Sequence, residues 1–385
     1  MGAMDDVLQA GVERGDVAGV TAIVVDRDGV VWEGGFGERA AGSGAEMTAD
    51  TVGAIFSMTK AITGAAAIHC VERGLLELDA PAGNVLDDLA DPQVLTGFDG
   101  DGQPTTRPAE GDVTLRNLLT HTSGYVYDIW NTDIARWYEA TGAPSLFDLK
   151  KDALRIPLAF DPGTRWEYGI GIDWAGLMVE AVSGQTLGEY FAEHLFGPMG
   201  MDDTGFAPTD SMMSRFGAMH ARMPDGGLAP IELPPAEAPE FEMGGGGLAG
   251  TMGDYARFMR MVLNDGELDG TQVMSADSVA SMAANSMGDL RVTELKTAAP
   301  QFSNDAELFP GEEKSWGLTF QVHEQAGKTG RSAGTLSWAG LANSYFWIDA
   351  EQDIAGAYMT QILPFADDRA YALYEEFETA AYASR

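Results

Sequence analysis

Apolar positions recur along this chain with two different periods, and the two periods occupy different stretches of it. Near the N-terminus, Val7, Leu8 and Val12 share one face of a short helix over 5–14. Residues 19–26 (GVTAIVVD) form a β-branched run, and Arg27-Asp28-Gly29 separates them from a second run over 30–35. Asp-Gly between two such runs predicts a hairpin. An apolar segment over 51–56 then gives way to a small-residue helix over 61–71, which ends near Gly74.

The middle of the chain has another texture. Residues 93–112 are rich in Gly, Pro and Asp and predict a long surface loop. Helical patterns follow over 115–119, 145–155, 173–182 and 187–195. A proline-rich stretch (230–239) and four consecutive glycines (244–247) close this part, and Thr251 caps a helix carrying Tyr255, Phe258, Met259 and Val262. Strand patterns return over 317–322, 335–340, 344–348 and 354–360, before a last amphipathic helix over 367–382. Strands at both ends with helices between them predict an α/β (α+β) fold, in which one antiparallel sheet built from both ends is flanked by helices. Residues 1–75 and 250–385 would form the discontinuous sheet domain, and 76–249 an inserted, mainly helical domain with long loops.

Bulk properties narrow the possible roles. The net charge of −36 repels nucleic acid and anionic membranes and excludes both as partners. Such a surface suits high salt as well as plain solubility. A single cysteine, Cys70, lies in an apolar helical stretch, so no intrachain disulfide can form and a reducing compartment is expected. The acidic N-terminus lacks the apolar core of a secretory signal, and no run approaches the ~20 apolar residues of a membrane span. A soluble, cytoplasmic protein is the expectation.

Candidate chemistry starts at Ser57-Met58-Thr59-Lys60. A lysine three residues after a serine sits one helical turn along, beside the hydroxyl whose proton must be removed for nucleophilic attack. A serine at a helix start also places the positive end of the backbone dipole under a developing oxyanion. The pattern is short, and its competing reading is an N-cap serine with a solvated lysine. Only six lysines occur, and Lys60 alone has a serine three positions before it.

Two other motifs compete for attention. Gly330-Arg331-Ser332-Ala333-Gly334 fits the G-x-S-x-G elbow, but that elbow needs an acid and a histidine after the serine, and none of the five histidines follows Ser332. Lys328-Thr329-Gly330 fits K-T-G, yet stands in the same polar loop rather than on a strand edge facing Ser57. Other residues converge on Ser57. Tyr168, after the Pro162-Gly163 turn, can relay a proton if an ammonium group flanks its hydroxyl. Trp338, Ala339 and Gly340 end a predicted strand whose small residues admit a substrate, and the Leu341 N–H can complete an oxyanion hole with that of Ser57. His121, in Leu-Leu-Thr-His-Thr-Ser-Gly (118–124), reads as a structural hydrogen-bonder.

Taken together, Ser57-Met-Thr-Lys60, LLTHTSG (118–124), DPGTRWEY (161–168), FGPMGMDDTGF (196–206), GGGGLAGTMGDYARF (244–258) and Trp338-Ala-Gly340 resemble a family VIII carboxylesterase. That group is similar to class C β-lactamases and DD-peptidases. The resemblance spans about 17–360 and implies a β-lactamase/DD-peptidase-like fold and no metal or cofactor. It makes Ser57 the nucleophile, Lys60 and Tyr168 the proton-handling pair, and Ser57 and Leu341 the oxyanion-hole donors. Trp338, Ala339, Gly340, Ile170 and Tyr125 become substrate-binding positions. Ile170 stands where the β-lactamase relatives carry an amide, and Trp338 where they carry a lysine. Both changes favour a neutral ester over an anionic lactam. The expected activity is hydrolysis of short-chain carboxylic esters through an acyl-enzyme, with a small-molecule ester as partner. Acyl transfer, amide or D-aminopeptide cleavage and weak β-lactam hydrolysis share the same intermediate, and a non-catalytic scaffold is the remote alternative.

Overall fold

The computed structural model describes residues 2–233 and 236–384. Its main sheet has seven strands drawn from both ends of the chain: β1 (Gly19–Val25), β2 (Val30–Gly37), β3 (Lys314–Trp316), β4 (Gln321–His323), β5 (Leu336–Gly340), β6 (Ser344–Asp349) and β7 (Ile354–Met359). They lie in the order β3-β4-β5-β6-β7-β1-β2, with every pairing antiparallel. The N-terminal strand is therefore locked to the last one, Thr21 opposite Met359 and Val25 opposite Ala355. Five helices cover this sheet or frame the site beside it: α1 (Ala3–Glu13), α2 (Thr59–Glu72), α3 (Gly171–Ser183), α4 (Met252–Leu263) and α5 (Asp368–Ala383).

Apart from the edge strand β2, which is exposed or half-buried along its length, the strands are buried on both faces, which explains their continuous apolar runs. Along β6, Tyr345 and Trp347 turn towards α5, where Tyr345 stacks on Tyr374 at 4.5 Å and Trp347 meets Phe377 at 5.9 Å. Phe346, between them, faces Tyr255 of α4 at 5.1 Å. α1 packs beside α5, and α4 crosses β7 and β1 on the opposite face. One hydrophobic core runs unbroken from the sheet into the helical middle of the chain. No helix among the described residues is long and apolar enough to cross a membrane.

The structure departs from the sequence reading at several places, each with a local cause. Residues 93–112 contain a β-hairpin, Gln93–Phe98 with Pro104–Pro108, rather than an open loop. Its turn carries the Gly and Asp residues, and Leu158 anchors one strand through paired backbone hydrogen bonds to Gln93 and Leu95. The expected helix over 145–155 is two short 3₁₀ turns, Leu146–Asp148 and Lys151–Leu154, separated by Leu149 at φ +53°. The stretch 317–322 breaks into a turn between β3 and β4. The Gly317 N–H donates to the Phe320 carbonyl, and a Cβ at 317 would come within 2.2 Å of the Met282 carbonyl oxygen. A helix missing from the pattern, Thr132–Thr141, is set by its ends: Asn131 caps it with its side chain and Gly142 leaves it at φ +67°. In the 230–239 stretch, residues 234 and 235 lie outside the described residues.

Candidate functional site

Ser57 lies in a single 3₁₀ turn, Phe56–Met58, that feeds directly into α2. Phe56 before it has φ +44°, a left-handed conformation that a bulky residue adopts only when its surroundings impose it. Those surroundings are visible. The Ile55 N–H is bound by the Leu248 carbonyl, the Leu248 N–H by Thr59 Oγ1 at 3.2 Å, and Met58 O accepts from the Tyr255 hydroxyl at 3.0 Å. Ser57 makes no side-chain cap for α2, whose flanking residue is Met58, and it remains half-buried and reachable. Lys60 is 1% exposed, so it is not a solvated helix residue. The competing reading of the motif therefore fails at both positions.

Lys60 Nζ reaches Ser57 Oγ at 3.2 Å, the Tyr127 hydroxyl at 2.9 Å and the Gly245 carbonyl at 2.6 Å. It also lies 4.8 Å from the centre of the Tyr168 ring and 5.0 Å from that of Tyr127. Burial lowers its proton affinity well below that of an ordinary lysine, while the charge on Asp173 acts in the other direction. Tyr168 is pushed the opposite way. Burial disfavours its phenolate, although hydrogen bonds with Ser57 and with Trp338 Nε1 (3.0 Å) act to stabilise it.

Strand β5 completes the site from the other side. Gly340 is required here, because a Cβ would stand 2.4 Å from the Ile55 carbonyl oxygen. The strand can therefore lie directly against the Ser57 turn. Ser57, Tyr168, Trp338, Ala339, Gly340 and Leu341 line one narrow slot, walled by Trp130, Leu295 and Phe365. Leu341 and Phe56 also border a cavity of about 610 Å³, lined chiefly by apolar residues that include Phe147, Phe302, Leu233 and Leu363.

The structure thus gathers Ser57, Lys60, Tyr168, Trp338, Ala339, Gly340 and Leu341 in one place. It does not bring Tyr125 or Ile170 to the slot. Tyr125 is 5% exposed and turned onto Trp174, with ring centres 5.9 Å apart; Ile170 is 1% exposed in the core, just before α3. Two residues further along from Tyr125, Tyr127 is the one bound to Lys60. Trp338 does more than take the place of a lysine, since its indole N–H donates to the Tyr168 oxygen. His121 is buried with φ +57°, accepts the Gly169 N–H at 3.3 Å, and packs at a tilt against Tyr168 with 4.6 Å between ring centres. Burial, with Lys60 nearby, keeps its imidazole neutral.

Sequence reasoning missed Tyr127, Asp173 and the backbone of Gly245. Asp173 carried a legible signal, being an acid inside the apolar run Gly171-Ile-Asp-Trp-Ala-Gly-Leu-Met-Val. The glycines were visible but not their use. Gly244 and Gly245 present carbonyls to Thr63 and Lys60 on successive turns of α2.

The other two motifs point away from this site. The Ser332 N–H is bound to Asp349 and its Oγ accepts from Gln352, while Lys328 pairs with Glu375 of α5 at 2.8 Å.

The chain is similar to known proteins over most of its length. A family model described as Beta-lactamase matches residues 4–381. A lovastatin esterase from Penicillium rubens is 31% identical over 402 residues, spanning 98% of each chain. Monacolin J acid methylbutanoyltransferase from Aspergillus terreus is 30% identical over 347 residues, or 88% of this chain and 83% of its own. Among solved structures, a LovD6 mutant of simvastatin synthase from Aspergillus terreus has a TM-score of 0.85 at 27% identity. It aligns over 99% of this chain and 94% of its own.

Proposed function

This chain belongs to the β-lactamase family, and from that premise we propose that it is a serine esterase working through an acyl-enzyme on Ser57. The observation that carries the reading is the buried Lys60 amine, hydrogen-bonded to Ser57 Oγ at 3.2 Å. An amine whose proton affinity burial has lowered can accept the serine proton near neutrality. Tyr168, whose phenolate burial disfavours, stays protonated and is suited to give a proton rather than take one.

Ser57 Oγ attacks the ester carbonyl carbon as its proton passes to Lys60 Nζ. The carbonyl π pair moves to oxygen, and the oxyanion is held by the Ser57 and Leu341 N–H groups. Collapse expels the alcohol, which takes a proton from Tyr168, itself resupplied from Lys60. Water then attacks the acyl carbon as one of its protons passes to Lys60 Nζ, and the bond from the acyl carbon to Ser57 Oγ breaks as Lys60 returns that proton to the serine oxygen. A short acyl group suits the narrow slot, while the 610 Å³ cavity suits a bulky apolar alcohol, since pockets for drug-sized ligands run to about 300–1,000 Å³.

Ser57→Ala and labelling with a fluorophosphonate test the reading directly. The variant should lose p-nitrophenyl butyrate hydrolysis, and the wild type should carry one adduct, on Ser57. Activity retained without Ser57 would end the proposal.

A second reading is favoured by the methylbutanoyltransferase relative and the simvastatin synthase likeness. An alcohol in the large cavity can take the place of water in the second step. Product analysis with added alcohol separates the two: ester product in excess of free acid marks a transferase. A nitrocefin assay reports any lactam cleavage.

A further inference from the structure

Asp173 takes no part in the acyl-enzyme chemistry, yet a single residue, Gly245, links it to Lys60. It lies in the first turn of α3, fully buried. Its Oδ1 accepts the Gly245 N–H at 2.8 Å, and the carbonyl of the same residue accepts from Lys60 Nζ at 2.6 Å. Its Oδ2 has no hydrogen-bond partner among the described residues. A carboxylate buried with half its acceptors unused is costly, and the fold does not require the charge, because an asparagine oxygen would satisfy Gly245 equally well. The fit is also close: a Cβ on Gly245 would come within 2.5 Å of Asp173 Oδ2.

We propose that Asp173 is a positioning residue, holding the Lys60 amine on Ser57 through the Gly245 backbone and setting that amine's charge. A carboxylate accepting at Gly245 N–H orients this glycine, whose carbonyl is the shortest contact of the ammonium. The negative charge also favours the protonated amine across the shared segment.

The neighbouring groups leave this pair as the one that titrates. From the 121–130 segment, Tyr127 faces Asp173 and His121 faces Lys60; Tyr138 approaches from the helix Thr132–Thr141, and Tyr168 from the segment before α3. Burial keeps the three tyrosines protonated and the histidine neutral. For Asp173 and Lys60, burial works against both charged forms, and each charge supports the other.

The proposal rests on the acyl-enzyme reading for its kinetic test, and Asp173→Asn provides that test. The substitution keeps the shape and the Gly245 contact but removes the charge. Without the anion, the Lys60 amine binds its proton less tightly, so the acidic limb of the kcat–pH profile should move to lower pH by roughly one unit. Plateau kcat should fall with KM little changed. A merely structural Asp173 would lower the melting temperature and leave the limb in place, and a folded variant with an unmoved limb overturns the proposal. A second measurement needs no activity. In carboxyl-¹³C-aspartate NMR, Lys60→Met should raise the pH at which Asp173 titrates; an unchanged titration overturns the proposal even if Asp173→Asn fails to fold. An enzyme inactive on every ester and unlabelled at Ser57 would overturn the esterase reading and leave this NMR result standing.

Discussion

Two serines in this molecule each stand next to a buried cation, and the two cations are satisfied in opposite ways. Beside Ser332, Arg331 is fully buried and held by both carboxylate oxygens of Glu378, with the Tyr374 hydroxyl and His323 completing its shell. Its charge is answered directly, and Phe309 lies across its face at 3.9 Å. Lys60, beside Ser57, has no carboxylate in contact among the described residues: its acceptors are a serine, a tyrosine and a backbone carbonyl, and Asp173 is kept one residue away, across Gly245. A cation paired to a carboxylate holds its proton; one given neutral acceptors in a dry site can release it. Direct pairing makes Arg331 an anchor between the sheet and α5. Indirect pairing leaves Lys60 able to exchange a proton with Ser57.

Exchanging the serines gives the largest contrast. Ser57→Ala should reduce kcat/KM by about 10³-fold or more, whereas Ser332→Ala should leave ester hydrolysis within twofold of wild type. Nitrophenyl ester kinetics on both variants check this, and equal losses would erase the distinction. Changing the cations should invert the outcome. Arg331→Met leaves Glu378 buried without its partner, and removing one member of a buried pair costs on the order of 3–5 kcal/mol of stability. Denaturant unfolding should show that loss, while kcat per folded molecule stays near wild type. Lys60→Met should do the reverse, with activity lost and the fold kept.

The same contrast explains how far each region was legible in the sequence. The Ser57 site could be read because its parts sit in short local patterns: a serine and lysine one turn apart, a tyrosine after a Pro-Gly turn, and small residues ending a strand. The sheet was legible through its β-branched runs at both ends of the chain. What escaped depends on contacts between distant segments. Tyr125 and Tyr127 have the same composition and lie two apart, so which of them meets Lys60 is decided by how the segment after His121 crosses α2. Ile170 looked like a substrate position from its place in Tyr-Gly-Ile, but the start of α3 turns it into the core. The Arg331–Glu378 pair joins residues 47 apart in sequence, and no local pattern announced it.

Removing one acceptor from Lys60 should give a smaller change than removing the lysine. Tyr127→Phe deletes the 2.9 Å contact and keeps the ring. The ammonium form, which that hydroxyl oxygen supports, is then less favoured, so the acidic limb of kcat moves to lower pH. Activity in the wild type should itself decline as pH falls through the range where Lys60 becomes protonated. Because burial lowers that range, the decline should begin far below the ordinary lysine value. A limb at ordinary lysine pH would contradict the dry environment drawn for this amine.

The smallest effect tests the tyrosine rather than the lysine. Trp338→Phe removes the N–H that donates to the Tyr168 oxygen at 3.0 Å while retaining an aromatic ring against Tyr168 and Trp316. A net hydrogen bond is worth about 1 kcal/mol, which converts to roughly fivefold in kcat. The loss should depend on the leaving group. Nitrophenolate departs without needing a proton, so its esters should be nearly unaffected, whereas alkyl esters, whose alkoxide must be protonated as it leaves, should bear the full decrease. Equal losses on both ester classes would mean that Tyr168 shapes the slot without handing a proton to the departing alcohol, and Lys60 would then have to serve both halves of the reaction.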